Sequence, residues 1–368
     1  MDTTWTPDQL QFRETVARFL EAKSPTGVVR KLMESSTGYD PAVWAQLSGE
    51  LGLTGTHLPE RYGGYGFGPV ELGIICEAMG RHLYCGPYFA SAVMAGYALL
   101  GAAEPHRERL IPGIASGETI AALVLDDLGD PDRVGRSIRA ADGNGSSRLT
   151  GTARIVVDAQ VAHLLVVAAS DGDRVALYAV DPAAAGVTIT PVQSIDATRK
   201  LSRVTFANAP AERLGDDPVD LDALWDRLAV ALAHEMIGGA QRLFDGTVEY
   251  LKIRVQFGRP IGSFQALKHR CADLLTELEL AKAATYAAAQ QLATGEGDPF
   301  APNMAKAMAS EAYMEIAKQA IQLRGGIGFT WEDDTHLWFK RAKSSEVFLG
   351  TPAWHRERMI QKLEAEHA

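Results

Sequence analysis

Cysteine is scarce in this chain of 368 residues. Cys76, Cys85 and Cys271 are the only three, and no C-x-x-C spacing joins them. An odd count without that spacing fits reduced, packed thiols and argues against a disulfide framework or a zinc site. Positive charge is in deficit too: 36 Lys and Arg face 46 Asp and Glu, for a net charge of −10 and a pI near 5.4. Nucleic acid and anionic membrane surfaces need basic patches, so neither is an expected partner. No uninterrupted apolar stretch approaches the roughly 18 residues of a membrane span. No basic segment leads into an apolar run after Met1, so no signal peptide is expected and the cytoplasm is the expected compartment.

Several catalytic signatures are missing as well. There is no P-loop and no G-x-S-x-G elbow, and His234-Glu235 lacks the second histidine of a zincin. The glycine-rich stretch from Gly63 to Gly68 follows Pro59-Glu60-Arg61-Tyr62 instead of a strand, which makes it a turn and not a dinucleotide fingerprint.

What is present is a large apolar fraction, 46%, with 22% charged residues, enough for one large core or two or three smaller ones. The pattern divides the chain into three domains, 1–117, 118–213 and 214–368. In the first, apolar residues at three and four spacing predict helices over Pro7–Ala22, Pro41–Leu51, Pro69–Arg81, Ala90–Leu100 and His106–Ser116. In the second the period shortens, and six β-rich runs between Ile120 and Phe206, separated by Gly, Asp, Asn and Pro, predict an antiparallel sandwich or barrel. In the third, alanine-rich helices are expected over Val219–Arg254, Ser263–Ala293, Pro302–Arg324, Thr335–Phe348 and His355–Ala368, which implies an up-and-down four-helix bundle. The fold class is therefore α+β and multidomain: helical domain, β domain, helical bundle.

Two stretches are more specific. From Arg254 through Val255-Gln256-Phe257-Gly258-Arg259-Pro260-Ile261-Gly262-Ser263-Phe264 to Gln265, one long helix ends in a glycine turn and another begins. From Gln322 through Leu323-Arg324-Gly325-Gly326-Ile327-Gly328-Phe329-Thr330-Trp331 to Glu332, a helix ends in paired glycines. Such loops let backbone N–H groups approach a phosphate or sugar, with Arg254 supplying charge and Phe257 a flat apolar face. On chemistry alone, glycines that merely cap helices and an arginine in an internal ion pair explain them equally well.

At these residues the chain resembles the acyl-CoA dehydrogenase family, and the resemblance covers nearly all of it. Trp44, Leu51-Gly52-Leu53, Pro59 to Gly66, and Glu77-Ala78-Met79-Gly80-Arg81 look like that family's N-terminal signatures in the expected order. The resemblance implies the same three-part architecture and an FAD held between subunits. It also implies that Arg254, Gln256, Phe257, Ile261, Phe264 and Gln265 on one loop, with Gln322, Leu323, Gly325 and Gly326 on the other, reach a neighbour's flavin at its adenine and pyrophosphate.

The same resemblance exposes two departures. Where family members with the common arrangement carry a glutamate before Gly-Thr, this chain has Leu349 before Gly350-Thr351. Leucine accepts no proton, so the usual removal of an acyl-CoA α-proton has no base here. A second branch of the family carries its base on the helix preceding the Arg254 loop, at a position matching Leu228; Asp226 stands about 200° around that helix from it. Asp226, Glu235 and Glu346 are the remaining candidates for a relocated base, with Glu346 one turn before Leu349. In the β domain, Gly151-Thr152-Ala153-Arg154-Ile155-Val156-Val157 replaces a family stretch whose tryptophan and threonine lie beside the flavin ring. Between Leu125 and Asp132, the four carboxylates Asp126, Asp127, Asp130 and Asp132 stand where the family contacts the pyrophosphate. Carboxylates repel a diphosphate.

The half of a flavin site that serves a neighbour is thus kept and the half that serves the chain itself is eroded. The expected role is the non-catalytic subunit of a heteromeric acyl-CoA dehydrogenase of α2β2 form, beside a homologous catalytic chain that binds the acyl-CoA. The stretch Gly325 to Glu332, with His336-Leu337 and Lys340-Arg341-Ala342, looks like the actinobacterial enzymes of that kind that act on steroid side-chain CoA thioesters. By the same resemblance, FAD is shared across the interface and an electron-transfer flavoprotein is the expected acceptor. An active homotetramer with a relocated base and a flavin-free scaffold are the alternatives.

Overall fold

The computed structural model describes residues 5–126, 128–143, 146–172 and 174–367. In chain order, helices come first, a barrel-like sheet follows, and long helices complete the chain. α1 (Pro7–Lys23) starts with a reciprocal cap: Gln9 N–H donates to the Thr6 hydroxyl at 3.2 Å, and Thr6 N–H donates to the Gln9 side chain at 3.0 Å. α2 (Thr26–Glu34) is a helix the periodicity did not mark. α3 (Pro41–Ala45) has Pro at its first position and Asp40 as its cap, then passes into a π-helical turn over Gln46–Glu50. α4 (Pro69–His82) follows, and α5 (Gly96–Leu100) continues another π-helical stretch, Phe89–Ala95. α6 (Glu104–Ala115) ends the helical segment.

Among the described residues, seven strands come next: β1 (Ala121–Val124), β2 (Ile138–Gly143), β3 (Ser146–Val157), β4 (Leu164–Asp171), β5 (Arg174–Val180), β6 (Val187–Val192) and β7 (Leu201–Arg213). Pairing runs β4–β2–β3–β7–β5 and returns to β4, which closes the sheet on itself; β1 joins at β4 and β6 at β7. Closure pairs each of the five ring strands on both sides. Most pairs are antiparallel; β1 runs parallel to β4, with Ala121 opposite Leu164, and β2 meets β4 through one parallel bridge, Arg139 to Ser170. The interior is filled by Ile138, Leu149, Val156, Leu165, Tyr178 and Phe206, among others.

α7 (Leu221–Ile253), the short strands β8 (Val255–Gln256) and β9 (Arg259–Pro260), α8 (Gln265–Thr294), α9 (Ala301–Arg324), α10 (Thr335–Val347) and α11 (Pro352–His367) complete the chain. The chain forms two compact units. One gathers the segment up to Val29, Pro69–Tyr84 and everything from Ala229; the other gathers Arg30–Gly68 and Cys85–Leu228, with the barrel.

In the first unit α4 and α7 approach closely through glycine. A Cβ on Gly80 would lie 1.8 Å from the Glu235 carbonyl oxygen, and one on Gly238 would lie 1.9 Å from that of Glu77. Any larger residue at either place would drive the helices apart. α9 runs through this unit on a row of buried alanines, Ala305, Ala309, Ala312, Ala317 and Ala320. Among the described residues no helix is long and apolar enough to cross a membrane, and none of the three cysteines is in a disulfide.

Candidate cofactor-facing loops and the Leu349 turn

α7 ends at Ile253 and leads directly into a two-stranded hairpin. Arg254 N–H donates to the Tyr250 carbonyl at 2.9 Å, and Ile261 N–H closes the hairpin on the Arg254 carbonyl at 2.8 Å. Its tip is Phe257-Gly258, with φ of 54° and 78°; two successive left-handed residues match the right-handed twist of the flanking strands. The Arg259 guanidinium lies over the Phe264 ring, 4.0 Å from its centroid, and Phe257 meets that ring edge-on at 6.1 Å. The tip is braced but uncovered, with Phe257 91% exposed. Ser263, expected to open the next helix, donates its hydroxyl to the Pro260 carbonyl at 2.7 Å, and α8 begins at Gln265.

The second loop leaves α9 through Gly325, whose φ is 65°, and forms a 3-10 turn over Gly325–Phe329. Gly326 is different. Its φ is not left-handed, and a Cβ there would meet nothing within 4 Å, so neither backbone conformation nor space inside the chain calls for glycine. Phe329 and Trp331 are 85% and 64% exposed. The Lys340 ammonium lies over the Trp331 ring, 4.3 Å from its centroid, and His336 meets that ring edge-on at 4.6 Å.

The two loops adjoin, because the Tyr250 hydroxyl on the last turns of α7 donates to the Arg324 carbonyl at the end of α9, at 3.3 Å. Of the residues singled out from sequence, Arg254, Gln256, Phe257, Gln265, Gln322, Gly325 and Gly326 are exposed; Ile261, Phe264 and Leu323 are half-buried. These groups fit the adenine and pyrophosphate end of FAD. They combine an exposed guanidinium, open glycine backbone and flat apolar faces.

The Leu349 turn is built quite differently. α10 stops at Val347, Leu349 takes φ 59° and Gly350 φ 97°, and α11 starts at Pro352. Leu349 is fully buried. Left-handed backbone costs a leucine roughly 1–2 kcal/mol, so the surrounding bonds must hold it. Lys306, fully buried on α9, donates to the Gly350 carbonyl at 3.2 Å, the Ser345 carbonyl at 3.1 Å and the Ser310 hydroxyl at 3.0 Å. Burial lowers its ammonium to about 7, against the opposing charge of Glu346. His355 bridges Leu349 to Asn303.

The candidate substitute bases sit as follows. Glu235 is buried and ion-paired to Arg341 at 3.0 Å. Glu346 pairs with Lys343 at 2.5 Å. Asp226 is half-buried on α7, and Leu228, at the alternative base position, is fully buried. In the barrel, a register shift between Ala153 and Val156 leaves Arg154 and Ile155 exposed, with Ile155 at the family's tryptophan position. Val157, at the hydroxyl position, is buried and offers no hydrogen bond. Asp126 accepts from the backbone N–H groups of Gly135, at 2.8 Å, and Ser137, folding the acidic loop onto itself. Asp127 lies outside the described residues.

Lys306, Asn303 and His355 were not legible beforehand. The only hint is a lysine within the small apolar run from Ala305 to Ala309.

The acyl-CoA dehydrogenase N-terminal domain profile matches residues 6–118 of this sequence, and the C-terminal domain profile matches residues 224–364. The chain is 37% identical over 361 residues to acyl-CoA dehydrogenase IpdE2 of Mycobacterium tuberculosis, covering 98% of each chain. It is 35% identical over 356 residues to IpdE2 of Mycolicibacterium smegmatis, covering 96% of this chain and 97% of that one. Among solved structures it is similar to the ChsE4-ChsE5 complex of Mycobacterium tuberculosis, with TM-score 0.90 and 27% identity over 99% of both chains. It is likewise similar to a variant of the Tcur3481-Tcur3483 steroid ACAD, with TM-score 0.89 and 27% identity over 98% of both.

Proposed function

Because the chain belongs to the acyl-CoA dehydrogenase family, we propose that it is the non-catalytic subunit of a heteromeric FAD-dependent acyl-CoA dehydrogenase. The carrying observation is Leu349. A fully buried aliphatic side chain stands at the base position, in a turn whose hydrogen bonds keep it there. A general base must reach the proton it removes; of the alternatives, Glu235 and Glu346 are each engaged by a cation, and Asp226 stands about 200° around α7 from Leu228. The flavin of this family, when bound, takes the hydride released from the acyl β-carbon. This chain's part is to complete the wall around the flavin's adenine and pyrophosphate. Arg254 supplies a charge-assisted contact, Gln256 and Gln322 supply polar contacts, and Gly325-Gly326 permits close backbone approach.

On this reading the partner is a homologous chain that carries the glutamate and the acyl-CoA cleft, in an α2β2 assembly, with an electron-transfer flavoprotein as acceptor. Similarity to a complex of two named chains and to a steroid ACAD supports the heteromer and a steroid CoA thioester as substrate. The exposed Phe257, Phe329 and Trp331 fit a surface that a partner covers.

The test is the FAD-to-polypeptide ratio, with native mass, of the chain purified alone and after co-expression with a glutamate-bearing acyl-CoA dehydrogenase chain encoded beside it. One FAD per two unlike chains, and little on the lone chain, is expected. One FAD per chain in a homo-oligomer overturns the reading. In the heteromer, Arg254→Ala is expected to strip FAD, and unchanged flavin content there also counts against it.

A further inference from the structure

A loop rich in glycine does not hold its own shape. Between Arg324 and Asp333 the chain contains Gly325, Gly326 and Gly328, and neither Gly325 nor Gly326 has a neighbour within 4 Å of where a Cβ would be. Each glycine adds conformational freedom that must be removed if the loop is to meet a ligand in one geometry.

Thr330 bonds back to the Ile327 carbonyl within the loop, and a side chain at the loop's edge ties it to the helices on either side. Arg324 Nε lies 3.3 Å from Asp333 Oδ2, across the base of the loop, and its Nη1 donates to the Thr247 hydroxyl on α7 at 3.2 Å. Its guanidinium faces the Tyr250 ring at 5.8 Å from the centroid, while its own carbonyl accepts from the Tyr250 hydroxyl at 3.3 Å. The pair is mostly out of water, with side chains 12% and 16% exposed. Gly246 leaves the guanidinium its space: a Cβ there would lie 3.2 Å from Nη2. Asp333 also accepts from Thr335 N–H at 2.7 Å, so the carboxylate that closes the loop starts α10 as well. One planar fork therefore ties α7, the loop and α10 together. A lysine would do this less well, since its ammonium on a flexible stem lacks the planar fork that fixes the directions of the donors.

We propose that Arg324 is the positioning residue of the cofactor-facing site: it sets the shape of the Gly325–Phe329 loop and its register against the Arg254–Phe257 hairpin. This rests on reading both loops as one wall of a partner's FAD site. Arg324 itself is turned inward to Thr247 and Asp333, so it acts through the loops.

The experiment uses Arg324→Met, Arg324→Lys, Asp333→Asn and Thr247→Val in the full chain, with Arg254→Ala for comparison. Each variant is read twice, by amide hydrogen exchange over residues 325–333 in the lone chain and by FAD content of the purified heteromer. Arg324→Met is expected to speed exchange in the loop by roughly tenfold, with little change in α8, and to lower FAD content. Arg324→Lys should fall between wild type and Met, and Asp333→Asn should loosen the loop even if Arg324→Met fails to fold. Unchanged loop exchange in both Arg324→Lys and Asp333→Asn overturns the proposal. So does a loosened loop with full FAD content, which would make Arg324 a brace of the bundle alone. Failure of the underlying reading is distinct, because Arg254→Ala would then also retain FAD.

Discussion

His355 donates its Nε2–H to the carbonyl oxygen of Leu349 at 2.8 Å, and its Nδ1 accepts from the Asn303 amide at 3.0 Å. A carbonyl can only accept, so these two partners select the neutral Nε2–H imidazole. With Lys306 on the Gly350 carbonyl, the bond holds a turn in which Leu349 keeps a left-handed backbone. The turn between α10 and α11 is held in place, and the side chain it buries at position 349 is aliphatic.

Leu349→Glu returns a carboxylate to that position. If proton abstraction belongs to the partner, as proposed, the turnover of the heteromer per FAD is expected to stay within about twofold. Stability should fall by about 2–4 kcal/mol, because an ionised carboxyl enters a dry site. Steady-state assay and thermal melting check both, and a clear gain in turnover or flavin would contradict the assignment.

Lys306→Met removes the donor shared by Ser310, Ser345 and Gly350. Leaving buried carbonyls without that donor is expected to cost roughly 2–4 kcal/mol. Faster amide exchange at residues 348–351 should accompany the lower melting temperature. Wild-type exchange at those amides would show that the turn is held by other contacts.

Acid should weaken the fold before its carboxylates titrate. Burial lowers His57, His234 and His355 to about 3 each, with nearby cations adding to the effect. In the unfolded chain they titrate near 6.5. The folded state refuses protons the unfolded state takes, so this stability is complete above pH 6.5 and is lost progressively as pH falls toward 3. Lys306 does not contribute between pH 6 and 5, being charged in both states there. Melting temperature should drop steadily from pH 6.5 to 5, and a flat profile would refute the buried neutral state of these histidines.

Phe257→Ser and Phe329→Ser change side chains that are 91% and 85% exposed. The lone chain should melt within about 0.5 kcal/mol of wild type. Assembly with the catalytic partner should weaken by about tenfold or more, if these rings are the anchors of the interface. Titration followed by native mass measures this, and unchanged assembly removes the loops from the interface.

Long amphipathic helices were legible because their periodicity is local: α7, α8, α9 and α10 lie within a few residues of the expected spans. α2 is only nine residues long and follows the turn signal Ser24-Pro25, although Val28, Val29, Leu32 and Met33 do recur at helical spacing within it. β2 escaped because Ile138-Arg139-Ala140-Ala141-Asp142-Gly143 has little β-branched content and takes its place from pairing with β3. The π-helical stretches at Gln46–Glu50 and Phe89–Ala95 have no sequence period of their own.

The sequence by itself determined that position 349 carries no base, because proton acceptance is a property of the side chain and not of its surroundings. It also determined where glycine and aromatic residues interrupt the helices. Only the tertiary structure decided that Leu349 sits in a turn secured by Lys306, 44 residues before Gly350. It alone decided that Arg324 reaches Thr247, 77 residues away, and that β2, β3, β4, β5 and β7 close into a ring. Those facts depend on which distant residues burial brings together, and local periodicity carries no record of distance.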